Sequence, residues 1–128
     1  LVVDTSALLA GILHEAGSEE LLRIISSADS KMAAPNLLEA HLVMFSRLGS
    51  AGSELVNDAV QRLRIKVVPF TEAHAFLAAR ANEEFGKGRH PAKLNFGDCI
   101  AYSVAKATGE PLLYIGSDFR QTDVLSVL

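Results

Sequence analysis

The stretch Leu1-Val2-Val3-Asp4-Thr5-Ser6-Ala7 (1–7) decides how the rest of the chain is read. Its opening apolar run suits a short buried strand. Asp4 ends that run at once, and Thr5 or Ser6 then caps a helix over residues 7–13. The same punctuation recurs downstream. Ser18 with Glu19 and Glu20 opens a helix to about residue 27, and residues 31–34 read as a weak strand. A third helix is predicted over 36–48, stopped by Gly49, and a fourth over 53–63. Residues 65–68 form a strand bounded by Pro69, and Thr71 caps a fifth helix reaching about residue 85. After a polar loop over 86–93, a sixth helix starts near Phe96 and stops at Gly109. Strands are then expected at 112–115 and 124–128. Strands alternating with helices or helix pairs predict an α/β fold: three layers, α/β/α, around a central, mostly parallel sheet of four to five strands. Such sheets carry their sites outside the carboxyl ends of the strands.

Bulk properties narrow the possibilities. A chain of 128 residues predicts one domain over 1–128. Aromatic residues are few and Trp is absent, which argues against a base-stacking platform for nucleic acid. The lone Cys99 can form neither an internal disulfide nor a cysteine-based zinc site. Asp4 breaks the N-terminal apolar run, so no secretory leader pattern is present and the expected location is the cytoplasm. Net charge is -3, with five basic and eight acidic residues in 1–64 and seven of each in 65–128. Within the second half, Lys87, Arg89 and Lys93 share a stretch that holds no acid.

Four carboxylates stand where strand or loop should become helix. Asp4 follows the first strand, and Glu39 lies early in an apolar helix after Pro35-Asn36-Leu37-Leu38. Asp98 follows Asn95-Phe96-Gly97, and Asp118 follows a Gly116-Ser117 turn. Taken singly, each has an ordinary explanation. Asp4 and Asp98 suit helix caps or first turns, and Asp118 and Asp123 suit turn chemistry. Glu39 is harder to dismiss, because the neighbouring Leu38, Ala40, Leu42, Val43, Met44 and Phe45 predict a largely buried helix. A glutamate is seldom buried unless paired or bound to a metal. If the four converge, their mutual repulsion calls for a cation, and an all-oxygen site suits Mg²⁺ or Mn²⁺.

Residues 1–7, Pro35 through Glu39-Ala40, Asn95-Phe96-Gly97-Asp98-Cys99 and Leu113-Tyr114-Ile115-Gly116-Ser117-Asp118-Phe119 together resemble the motifs of PIN-domain ribonucleases. More narrowly, with Thr122-Asp123, they are similar to the VapC toxins of type II toxin–antitoxin pairs. The resemblance spans the chain and implies a PIN-like domain with metal-dependent endoribonuclease activity that requires Mg²⁺ or Mn²⁺. By that analogy Asp4, Glu39 and Asp98 match the core metal-binding acids and Asp118 the fourth. Many PIN domains place the fourth acid nearer the strand end, where this chain has Gly116, so Asp123 stands as a further candidate. Ser6 matches a small hydroxyl residue that orients the carboxylates or a metal-bound water rather than acting as nucleophile. The implied cut, in transfer or ribosomal RNA, leaves a 5′-phosphate and a 3′-hydroxyl and stops translation. The implied partners are a second copy, as a homodimer, and a cognate VapB-like antitoxin that places a basic side chain among the acids.

Lys87, Arg89, Lys93 and Arg120 are candidates for contacting RNA phosphates, although a plain solvated loop explains the first three equally well. His14, His41, His74 and His90 lack the spacing of paired metal ligands, and His90 beside Pro91 is expected to be exposed. Cys99 reads as a small buried residue. Among other functions, a receiver-type phosphoacceptor domain would require a paired acid at the first strand and a lysine after a late one, and neither is present. A metal-dependent phosphatase or DNA nuclease, or a catalytically silent PIN-fold binding partner, are further alternatives.

Overall fold

The computed structural model describes residues 1–127. In chain order the elements are β1 (Val2–Val3), α1 (Thr5–Ile12), α2 (Ser18–Ser27), β2 (Lys31–Ala33), α3 (Ala34–Leu48), α4 (Ser50–Arg62), β3 (Lys66–Val68), α5 (Glu72–Phe85), α6 (Phe96–Thr108) and β4 (Leu112–Leu113). A short 3₁₀ turn, Asp118–Gln121, follows. The sheet order is β3-β2-β1-β4, and every neighbouring pair runs parallel.

Period-two alternation along these short strands builds the two outer layers. Val2, Ala33 and Leu112 face one core, which α5 and α6 cover with Ala81, Ile100, Tyr102 and Val104. Val3, Met32 and Leu113 face the other, filled by Leu8, Leu21, Ile25, Ala40, Met44 and Val56 from the first four helices. Strands β1 and β4 are apolar and buried throughout, as parallel strands covered on both faces are, whereas β3 at the sheet edge is largely exposed. Among the described residues no helix is long and apolar enough to cross a membrane.

Several local expectations need correcting. Asp4, not Thr5 or Ser6, caps α1: its backbone is extended and its side chain accepts from the Ser6 N–H. Helix α4 starts three residues earlier than expected, at Ser50, because Gly49 at φ 65 lets the chain reverse immediately after α3. Helix α3 is less buried than its composition suggested. Only Asn36, Ala40 and Met44 are buried along it, while Leu38, Leu42, Phe45 and Leu48 are exposed. Strand β4 ends at Leu113, and the chain turns at Gly116, where φ is 105. The strand expected at 124–128 is a single parallel bridge from Ser126 to Leu112, and Leu128 lies outside the described residues. His90 is half-buried, set edge-on against Phe85, with Nδ1 accepting from the Ala92 N–H.

Candidate active site

Strand β1 delivers Asp4 to the carboxyl edge of the sheet, where it is 4% exposed. Its Oδ2 accepts from the Ser6 N–H at 3.1 Å and from the Ser6 hydroxyl. The Ser6 oxygen in turn accepts from the Ile115 N–H at 3.0 Å. Ser6 therefore ties the end of β1 to the segment after β4, the segment that leads to Asp118.

Helix α3 leaves β2 at the same edge and carries Glu39, which is half-buried. Across from it, α6 begins with Asn95, whose side chain accepts from the Asp98 N–H at 2.9 Å while Asp98 Oδ2 accepts from the Asn95 N–H at 3.0 Å. This reciprocal capping box fixes Asp98 on the first turn of α6. The approach of α3 to α6 is close. A Cβ on Gly97 would lie 2.6 Å and 2.9 Å from the two Glu39 carboxylate oxygens, so the glycine leaves the space the carboxylate uses. Asn36, one turn before Glu39, donates to the Gly97 carbonyl at 3.1 Å, and the Thr5 hydroxyl donates to the Asn36 carbonyl at 3.1 Å.

The acids lie near enough to act on one another. Burial first, then Asp98 and Glu39, push the Asp4 carboxyl up to about 7 against the opposing Ser6 hydrogen bonds. Burial likewise lifts Asp98 to about 6, with Asp118 and Glu39 adding to the rise and the Asn95 N–H opposing it. Two titratable carboxyls elevated by desolvation and like charge mark a strained anionic site. None of the ion pairs among the described residues engages Asp4, Glu39, Asp98 or Asp118. The donor set is all oxygen, uncompensated and open to solvent at Asp118, which fits a hard divalent cation. As the side chains stand, no group of three or more acids, histidines or cysteines among the described residues is gathered tightly enough to hold one ion. Asp4 is turned to Ser6 and Asp98 to Asn95, the nearest N–H and O–H donors, as mutually repelling anions would be.

Asp123 lies elsewhere. Its carboxylate accepts from the Tyr102 hydroxyl and from Lys106 Nζ at 3.1 Å. Tyr102 and Lys106 lie one and two turns along α6 from Asp98, roughly 6 and 12 Å down the helix axis. The Tyr102 hydrogen bond and then Lys106 hold the Asp123 carboxyl below its usual range, against its partial burial. Of the two candidates for the fourth acid, Asp118 lies near enough to Asp98 to raise it, while Asp123 is engaged by Tyr102 and Lys106.

Lys87, Arg89 and Lys93 are exposed on the loop that runs into Asn95, and Arg120 is exposed in the 3₁₀ turn beside Asp118. Beside that loop, α5 and α6 enclose an apolar cavity of about 610 Å³, lined by Phe70, Ala78, Asn82, Lys87, Phe96 and Ile100 among others. His41, His74 and His90 serve structure. His74 completes the capping box of α5, and His41 Nδ1 meets the Ser53 hydroxyl between α3 and α4. Cys99 is buried, and burial followed by the neighbouring Asp98 pushes its thiol up, away from nucleophilic use. Sequence reasoning passed over Asn36 and Gly97. The available signal was a lone amide in an otherwise apolar helix start and a glycine inside a helix.

The PIN domain family matches residues 1–125. Ribonuclease VapC42 of Mycobacterium tuberculosis is 39% identical over 126 residues, covering 97% of this chain and 96% of that protein. Among solved structures, VapBC2 from Rickettsia felis, bound to a promoter DNA fragment, superposes with a TM-score of 0.77 at 15% identity, covering 98% of this chain and 94% of the other. Mycobacterium tuberculosis VapC20, described as a sarcin–ricin loop cleaving toxin, gives 0.74 at 18% identity, covering 98% and 97%. A receiver-type phosphoacceptor finds no support in these similarities. Carrying the PIN acids in family order on a four-stranded parallel sheet, this chain belongs to the PIN-domain family, among its VapC-like toxins.

Proposed function

We propose that this chain is an endoribonuclease toxin whose activity depends on a divalent cation held by Asp4, Glu39, Asp98 and Asp118. The supporting observation is that Asp98 and Glu39 act on Asp4, and Asp118 and Glu39 on Asp98, with no ion pair at any of the four among the described residues, in a chain whose relatives are named ribonucleases. Bound Mg²⁺ or Mn²⁺ would supply activation of a water and stabilisation of charge on the leaving oxygen. Asp4 and Asp98 would anchor the ion, Glu39 would orient the attacking water, and Asp118 would complete a weaker outer position. Ser6 holds the Asp4 carboxylate in place, and Lys87, Arg89, Lys93 and Arg120 bind the RNA backbone. Asp123 serves the tail rather than the ion. The substrate class is transfer or ribosomal RNA in the cytoplasm, the latter suggested by the sarcin–ricin loop activity for which VapC20 is described.

A VapB-like antitoxin would neutralise the site by inserting an arginine or lysine where the acids lack a counter-charge, a pairing suggested by the VapBC2 structure. A homodimer is favoured by apolar side chains left in water: Leu38, Leu42 and Phe45 on α3, Phe76 on α5 and Phe96, 84% exposed, on α6. The deciding experiment incubates purified protein with total RNA in Mn²⁺ or EDTA, beside Asp4→Asn and Asp98→Asn. Wild type with Mn²⁺ should cut, while EDTA and either substitution should reduce cleavage at least a hundredfold. Equal cutting in all samples would show that neither metal nor acids matter.

A further inference from the structure

Asn36 is 1% exposed, and its Oδ1 has no hydrogen-bond partner. A buried, unsatisfied amide oxygen costs stability, and such groups persist where something else requires the residue. The amide nitrogen is engaged: it donates to the Gly97 carbonyl. That carbonyl lies inside α6, where a helical oxygen already receives the N–H four residues on. The Asn36 bond is therefore an addition, not the rescue of an orphaned carbonyl.

Its location explains its use. Asn36 lies one turn before Glu39 on α3, and Gly97 immediately precedes Asp98 on α6. The Thr5 hydroxyl, beside Asp4, bonds to the Asn36 backbone carbonyl. One residue thus touches the three segments that carry Asp4, Glu39 and Asp98, at the point where Gly97 admits the Glu39 carboxylate against α6. Three elements that bring like charges together tend to separate, and a hydrogen bond across the gap opposes that.

We propose that Asn36 is a positioning residue, whose side-chain amide locks the first turn of α6 to α3 and so sets the spacing of Glu39 and Asp98 for one divalent cation. This rests on the metal-site reading of the acids. The residue touches neither ion nor RNA and acts through Gly97. Because the extra bond is not needed to satisfy backbone, replacing the amide by an apolar group of similar shape removes both the lock and the unpaired oxygen. Stability and ion affinity should then part company, which a purely structural asparagine would not allow.

The test uses Asn36→Leu and Asn36→Ala in the full chain, with Ile25→Val, in the opposite core and away from the acids, as a control for general loosening. Mn²⁺ binding is measured by calorimetry without RNA, and melting is followed in EDTA. Asn36→Leu should melt within a few degrees of wild type yet bind Mn²⁺ at least fivefold more weakly. Asn36→Ala should lose at least as much affinity, and Ile25→Val should keep wild-type affinity at a lower melting temperature. Wild-type affinity in both Asn36 variants overturns the proposal, as does an equal loss in Ile25→Val. Failure of both Asn36 variants to fold also overturns it, since the role would then be structural. If wild type itself binds no Mn²⁺, the metal reading of the acids falls and the positioning role falls with it, an outcome distinct from wild-type binding that Asn36 does not influence.

Discussion

Asp4 shows how one residue serves two opposed ends. Its carboxylate caps α1, yet burial and its acidic neighbours raise its pKa from 3.8 to about 7. A carboxyl that holds its proton more tightly in the native state weakens the fold on ionising. The penalty is absent below about pH 4, grows as pH rises towards 7, and is complete above it. Three pKa units correspond to on the order of 4 kcal/mol. In EDTA, melting temperature should therefore fall between pH 5 and pH 8, with Asp98 contributing over the lower part of that window. Asp4→Asn keeps a capping oxygen and removes the charge, so it should flatten most of the fall and melt roughly 5 °C or more above wild type at pH 8, while losing cleavage. Thermal melts across pH decide this, and a flat wild-type profile would refute it. Gly97 makes a second residue-scale prediction. The nearest atoms a methyl there would meet are the end of the Glu39 side chain, so Gly97→Ala should change stability by about 1 kcal/mol or less while displacing the carboxylate. Cleavage should drop at least tenfold, and unchanged turnover in a kinetic assay would remove Gly97 from the site.

At the scale of elements, helix starts carry the site. Asp4 caps α1, Asp98 sits in the capping box of α6, and Glu39 lies in the second turn of α3. Asp4 and Asp98 were legible because caps have a local chemistry, a short acceptor side chain beside free N–H groups, whereas Glu39 was singled out from an expected burial of α3 that the structure does not show. The loop 86–95 feeds directly into the Asp98 cap and carries Lys87, Arg89 and Lys93 outward. Lys87→Ala with Arg89→Ala should weaken RNA binding severalfold at low salt and reduce the slope of log affinity against log salt by about 1 to 2. Filter binding of a catalytically silent Asp98→Asn background would measure it. An unchanged slope would place the RNA elsewhere. The burial of α3 was not legible in the same way. Leu38, Leu42 and Phe45 recur at helical spacing, a pattern that identifies an apolar face but not what covers it.

At the scale of the molecule, that uncovered face carries the dimer proposal. Leu38, Leu42, Phe45 and Phe96 in water predict a dimer of twice the 13.7 kDa chain mass. Leu42→Asp or Phe96→Asp should give monomers with the fold intact, as read by light scattering and far-UV dichroism. A monomeric wild type at micromolar concentration would end the dimer proposal. The alternation of strands and helices, the Thr71 cap of α5 and the order of the four acids were determined by sequence alone, because propensity, capping and apolar patterning act over a few residues. Even so, residues far apart in the chain left Asp118 and Asp123 as rivals. Tertiary structure gives them different surroundings: Asp123 meets Tyr102 and Lys106 along α6, while Asp118 comes close enough to raise Asp98. It likewise disclosed Asn36 and Gly97, whose contact spans 61 positions. Contacts of that range depend on how α3 and α6 pack at the carboxyl edge of the sheet, and packing geometry is a property of the assembled layers that no local pattern encodes.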